Sequence, residues 1–158
     1  MSTSELKENQ YPTKFDVVER SFLNTDDSDS WPLLLTKKED HKLLTVDCEM
    51  VETKAGYELA RATVIDSEYN EVLNRYVKPE NPVINYHFKY SGIKPEHIEG
   101  EGVLSIQQLH KELKQIFDRD TILAGHSLEN DLKALKVKTT ILTAIACASQ
   151  GDRYQPPI

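Results

Sequence analysis

The sequence predicts an α/β fold: three strands in an antiparallel meander, then helix, strand, helix and strand, giving a mixed sheet flanked by helices. Three observations predict it. Apolar runs at residues 43–48, 59–66 and 72–78 have strand length and are rich in β-branched residues. A helix start with a capping-box spacing stands at Ser105 and Gln108. Leucines at helical spacing recur from Leu128 to Leu135.

The elements follow in order. Residues 1–40 have little apolar periodicity, and residues 24–30 (Asn-Thr-Asp-Asp-Ser-Asp-Ser) read as a polar, acidic linker. The chain therefore divides into a mostly disordered segment, 1–40, and a domain, 41–158. Leu43 to Cys48 is an apolar run broken by Asp47 and reads as a central strand. The next two strands are joined by a turn at residues 67–70, and Pro79 and Pro82 end the meander. In the first helix Ile106, Leu109, Leu113, Ile116 and Phe117 share one face. Residues 121–125 form a short strand, 127–136 a helix with Leu128, Leu132 and Leu135 inward, and 141–147 a last strand. This is the element order of the ribonuclease-H-like α/β fold.

Composition bounds the function. The chain has 158 residues, enough for one domain with a real core. No apolar run approaches the roughly 18–20 residues of a membrane span, so no membrane partner is expected. Two cysteines form neither a disulfide framework nor a zinc-ligand set. A net charge of −7 argues against a general nucleic-acid coat, but not against an enzyme whose acids hold cations.

Asp47 and Glu49 stand two apart on a strand and so project from one face. Close carboxylates repel, by roughly 4 kcal/mol at 4 Å with an effective dielectric of 20. The apolar neighbours Leu44, Val46 and Met50 suggest incomplete hydration, for which a divalent cation compensates. Taken alone, the pair is equally compatible with two solvated acids at a strand end. Asp131 falls three residues after Leu128, on the inward side of its helix near the N-terminus, where the helix dipole favours an acid. A satisfied structural acid is the competing account.

Taken in order, Val46-Asp47-Cys48-Glu49-Met50-Val51, Glu58-Leu59-Ala60-Arg61, Tyr76-Val77-Lys78-Pro79, Tyr90-Ser91-Gly92-Ile93 and Gly125-His126-Ser127-Leu128-Glu129-Asn130-Asp131-Leu132 resemble the eukaryotic RNA exonuclease (Rex-type) family of the DEDD superfamily. The resemblance covers about residues 42–157. It implies a 3′→5′ exoribonuclease that trims RNA 3′ ends, ribosomal precursors among them, in the nucleus. It also implies that Asp47, Glu49 and Asp131 are catalytic and are three of four acids binding two Mg²⁺ or Mn²⁺ ions. Met50 would contact the terminal nucleotide and Tyr90 would border the substrate cleft, where a ring can stack on a base. His126, where the family also has His, counts among the substrate-side residues, with strand-to-helix packing or capping as its simpler role. Lysines 111, 114, 133, 136 and 138 read as solvated helix faces.

The chain also departs from the family. The superfamily's last motif, a His with an Asp five positions on, supplies the general base and the fourth metal ligand. Here no His follows His126, and the only acid after Asp131 is Asp152. The stretch after Asp131 lacks the family's His-Pro, and Leu142 stands where an Asp is usual. Asn85 and Phe88 replace the family's Asp and Thr. The expectation is therefore a C-terminally truncated domain lacking its last helices and impaired in turnover. Its exposed face would call for a protein partner. The alternative is a catalytically dead module that binds RNA or protein.

Overall fold

The computed structural model describes residues 23–24, 42–117, 121–138 and 145–147. The expected disordered segment, Asp152 and the C-terminal departures from Leu142 onward lie outside these residues, apart from two short strands. These are β1 (Leu23–Asn24), which pairs in parallel with β7 (Val137–Lys138), and β8 (Ile145–Cys147).

The meander comes first. β2 (Leu43–Thr53) and β3 (Gly56–Asp66) pair antiparallel, and β4 (Glu71–Tyr76) pairs antiparallel with β3. β5 (Val83–Asn85) returns to pair with the end of β2, and β6 (Ile122–His126) lies parallel to its beginning. The sheet order is β4-β3-β2-β6-β8, with β5 added on β2. This is a mixed sheet with β2 central, as the sequence predicts. β2 and β3 run further than expected because the hairpin continues to a tight tip. There Gly56 takes φ 112°, a conformation that suits glycine. The β3–β4 turn closes on Asp66, whose Oδ1 accepts the amides of Glu68 and Asn70 at 2.9 Å each.

Four helices are described: α1 (Phe88–Ser91), α2 (Pro95–Glu99), α3 (Ile106–Ile116) and α4 (Leu128–Leu135). α3 begins with the predicted capping box: Ser105 Oγ accepts the Gln108 amide at 3.2 Å, and Gln108 Oε1 accepts the Ser105 amide at 2.8 Å. The first two helices replace a stretch read as loop. α1 is a single turn ended by Gly92 at φ 64°, whose amide donates to the Phe88 carbonyl.

Two apolar clusters fix the layers. The larger joins Leu44, Val46 and Cys48 of β2 to Leu109 and Leu113 of α3 and to Leu128, Leu132 and Leu135 of α4. The smaller joins Val51 and Ala60 to Ile93 and Ile98. Alternation along β2 buries Leu44, Val46 and Cys48 and turns Asp47 and Glu49 the other way. Gly125 lets β6 and α4 close onto the central strand. A Cβ there would lie 2.8 Å from the Val46 carbonyl oxygen and 3.0 Å from Leu128 Cδ1.

Candidate active site

Asp47 and Glu49 occupy adjacent same-side positions of β2, opposite Thr63 and Arg61 of β3. Asp47 is exposed and Glu49 partly buried, so the incomplete hydration expected of both acids holds for Glu49 only. The parallel ladder between β2 and β6 ends at Thr45 and Ala124. Three residues further on, the Cys48 amide donates to Asp131 Oδ1 at 3.0 Å. The acid on α4 thus takes up a main-chain donor beyond the end of that ladder. Asp131 is 6% exposed, inward as its spacing from Leu128 predicts.

The three acids share one electrostatic environment. Burial, then the negative charge of Asp47, pushes the Asp131 carboxyl up from 3.8 to about 7, against the stabilising amide of Cys48. Glu49 is also raised, by burial and then by Asp47, while Arg61 opposes the change. The Cys48 thiol is held well up, first by burial and then by Asp131, Asp47 and Glu49. Cys48 is therefore a neutral packing residue and not a nucleophile.

These carboxylates have the chemistry of a hard divalent-cation site: oxygen donors, mutual repulsion, and one member driven towards the neutral form unless a cation compensates. They are not a closed cage. Among the described residues, no three of His, Cys, Asp and Glu are grouped tightly enough to hold a metal ion.

A cleft of about 470 Å³ opens beside Glu49, walled by Met50, Tyr57, His87, Tyr90 and Ser91, with Cys48 at its edge. Of the three residues assigned to substrate from the sequence, Met50, Tyr90 and His126, the first two line it. Tyr90 is 80% exposed. His126 ends β6 and is exposed, so it does not pack strand against helix, and it does not line this cleft. The sequence reading missed Glu52, Tyr57 and His87. Glu52 and Tyr57 are cross-strand partners, and His87 Nε2 lies 2.9 Å from Glu52 Oε2. The available signal was the even spacing of Met50 and Glu52 along one strand.

The model of the exonuclease family designated RNase_T matches residues 44–149. This chain belongs to that family. Its relatives include the human RNA exonuclease 1 homolog, 40% identical over 95 residues, and Saccharomyces cerevisiae RNA exonuclease 1, 31% identical over 119 residues. Those alignments cover 60% and 73% of this chain but 8% and 22% of the relatives, so the chain corresponds to a small part of them. Together they identify a Rex-type exonuclease domain of the DEDD superfamily. Among solved structures, the Neurospora crassa Pan2 catalytic unit superposes with a TM-score of 0.61 at 13% identity, covering 95% of this chain and 26% of that one. A Saccharomyces cerevisiae Pan2 pseudoubiquitin hydrolase–RNA exonuclease module, solved with AAGGAA RNA, gives 0.60 at 21% identity, covering 77% and 24%. These likenesses establish the ribonuclease-H-like exonuclease fold.

Proposed function

We infer that this domain hydrolyses RNA from its 3′ end, using divalent cations held by Asp47, Glu49 and Asp131. The observation that carries the reading is the electrostatic influence of Asp47 on both other acids. Asp131 reaches from α4 to the amide of Cys48, between the two acids of β2, and the charge of Asp47 raises both of the other carboxyls. Relatives named RNA exonucleases and Pan2 modules solved with RNA support RNA as the polymer.

Mg²⁺ or Mn²⁺ suits the oxygen donors, and would supply positive charge to phosphodiester oxygens as negative charge builds during hydrolysis. The protein's part is positioning. Glu49 lines the cleft, Met50 offers an apolar surface to a terminal nucleotide, and the exposed ring of Tyr90 offers a stacking face. A second reading, RNA binding without turnover, is favoured by the unclosed arrangement of the acids.

A time course of purified 1–158 on 5′-labelled RNA in Mg²⁺ and in Mn²⁺, beside Asp47→Ala, separates the two. Slow stepwise shortening that vanishes in the variant supports the enzyme. RNA bound but unchanged, in a folded sample, supports the binding module. Internal cleavage, or shortening that persists in Asp47→Ala, contradicts the proposed site.

A further inference from the structure

Beyond the acids, the cleft carries a group that the metal chemistry does not use. His87 is held at more points than a loop residue needs. Its backbone is left-handed, at φ 47°. Its amide donates to Asn85 Oδ1 at 2.9 Å, and its carbonyl accepts from the amides of Tyr90 and Ser91 at 2.8 and 3.1 Å. Its ring lies 5.6 Å from that of Tyr57, tilted by 32°. Non-glycine residues in this conformation are costly and persist where the surroundings over-determine them, often at ligand sites.

The hydrogen bond to Glu52 sets the chemistry of the ring. An ionised carboxylate only accepts, so in the neutral imidazole Nε2 carries the hydrogen. Nδ1 is then an acceptor, with no hydrogen-bond partner among the described residues. The side chain lines the cleft beside Glu49 and keeps about a third of its surface (29%) exposed. Tyr57 and Tyr90 are 65% and 80% exposed, so each offers a ring face to a base.

Resting on the reading of the cleft as an RNA site, we propose that His87, oriented by Glu52, is a base-discriminating residue. It accepts a hydrogen bond from the exocyclic amino group of a nucleobase stacked in the cleft, and so favours amino-bearing bases over uracil. Cytosine and uracil are the informative pair. They are similar in size and stacking surface, but one presents a donor where the other presents a carbonyl. One hydrogen bond between neutral groups corresponds to about five-fold in affinity. Glu52→Gln replaces an acceptor-only carboxylate with an amide that can donate as well as accept, so the hydrogen is no longer held on Nε2 and the tautomer with hydrogen on Nδ1, which suits a carbonyl, becomes accessible.

The test measures binding of 5′-labelled hexacytidylate and hexauridylate to 1–158 by fluorescence anisotropy in Ca²⁺, with RNA integrity checked on a gel. The wild type is expected to prefer cytidine about five-fold, His87→Ala to bind both equally, and Glu52→Gln to lose or invert the preference. A cytidine preference that survives in both variants overturns the inference and leaves the RNA reading standing, as does a wild type that binds both RNAs equally. A folded wild type that binds neither RNA overturns the inference together with the reading beneath it.

Discussion

The backbone amide of Cys48 donates to Asp131 Oδ1 at 3.0 Å, joining residues 83 apart in sequence across the central strand and α4. This bond places the third acid of the proposed site. The strand that carries Asp47 and Glu49 has, between them, a donor that helix α4 must satisfy, and the inward acid of that helix satisfies it. The same carboxyl is buried beside Asp47 and carries an electrostatic cost whenever no cation is bound.

Asp131→Asn should therefore stabilise the metal-free protein at alkaline pH. Asp131 is an acid raised from 3.8 to about 7 in the folded state, so between those values the folded form holds a proton that the unfolded form has released. Its contribution to stability falls as pH rises from about 4 to 7 and is flat above. A tenfold change in proton affinity corresponds to about 1.4 kcal/mol, and a gain on the order of 1 kcal/mol is expected. Urea melts in EDTA should show the variant more stable at pH 8, with the gap closing towards pH 4. A variant less stable at pH 8 contradicts this expectation.

Gly125→Ala should be destabilising although Ala is the smallest possible addition. The new Cβ meets the Val46 carbonyl oxygen at 2.8 Å, and backbone cannot swing aside as a flexible side chain can. Overpacking of this kind costs about 1–3 kcal/mol. A lower urea midpoint with unchanged slope is the expected result, together with weaker metal binding, because the start of α4 is displaced. An unchanged midpoint would show that β6 and α4 can separate freely.

Glu58 should matter for stability more than a surface acid usually does. Its Oε2 accepts the amides of Glu80 and Asn81 at 2.6 and 3.2 Å. Its Oε1 accepts from Asn81 Nδ2 at 2.6 Å and from the Thr53 hydroxyl at 2.8 Å. Glu58→Ala should cost about 1–3 kcal/mol, as charge-assisted bonds do when a partner is removed. Thermal melts check this, and a loss within experimental error would make these contacts incidental.

His110 gives a pH signature of the opposite sign to that of Asp131. Its Nε2 donates to the Leu135 carbonyl oxygen at 2.7 Å, tying α3 to the end of α4. Burial lowers its basicity below the ordinary 6.5, outweighing that bond. The unfolded chain therefore takes up a proton first as pH falls. Stability is full above about 6.5, declines below it, and levels off once the folded form also protonates. Thermal melts from pH 8 to 5 should show a steeper acid-side loss in the wild type than in His110→Gln, whose amide can still donate to Leu135. Parallel curves would contradict the assignment.

Much of this was legible in the sequence, because local chemistry and tertiary structure agree there. Ser105 and Gln108 cap the helix as their spacing predicts, and Asp131 points inward because Leu128, Leu132 and Leu135 fix the face of α4. That Asp47 and Glu49 share one side of β2 was readable from strand alternation alone. The wall of the cleft was not. It depends on an irregularity in the β2–β3 pairing at Glu49 and Met50, and on a loop turned by a left-handed His87. Neither leaves a periodic trace. The helical turn Phe88–Ser91 was hidden for a related reason: one turn is too short for an apolar stripe. His126, exposed at the end of β6, lies outside the lining of this cleft.

Whether Asp47, Glu49 and Asp131 act as one cation site is decided by Mn²⁺ calorimetry on 1–158 and on Asp47→Ala, Glu49→Gln and Asp131→Asn. Saturable binding to the wild type is expected, weakened at least about ten-fold in each variant as loss of a charged ligand should do. Equal affinity in the wild type and the Asp131 variant would contradict the shared site, and would reduce the bond from Cys48 to Asp131 to a purely structural one.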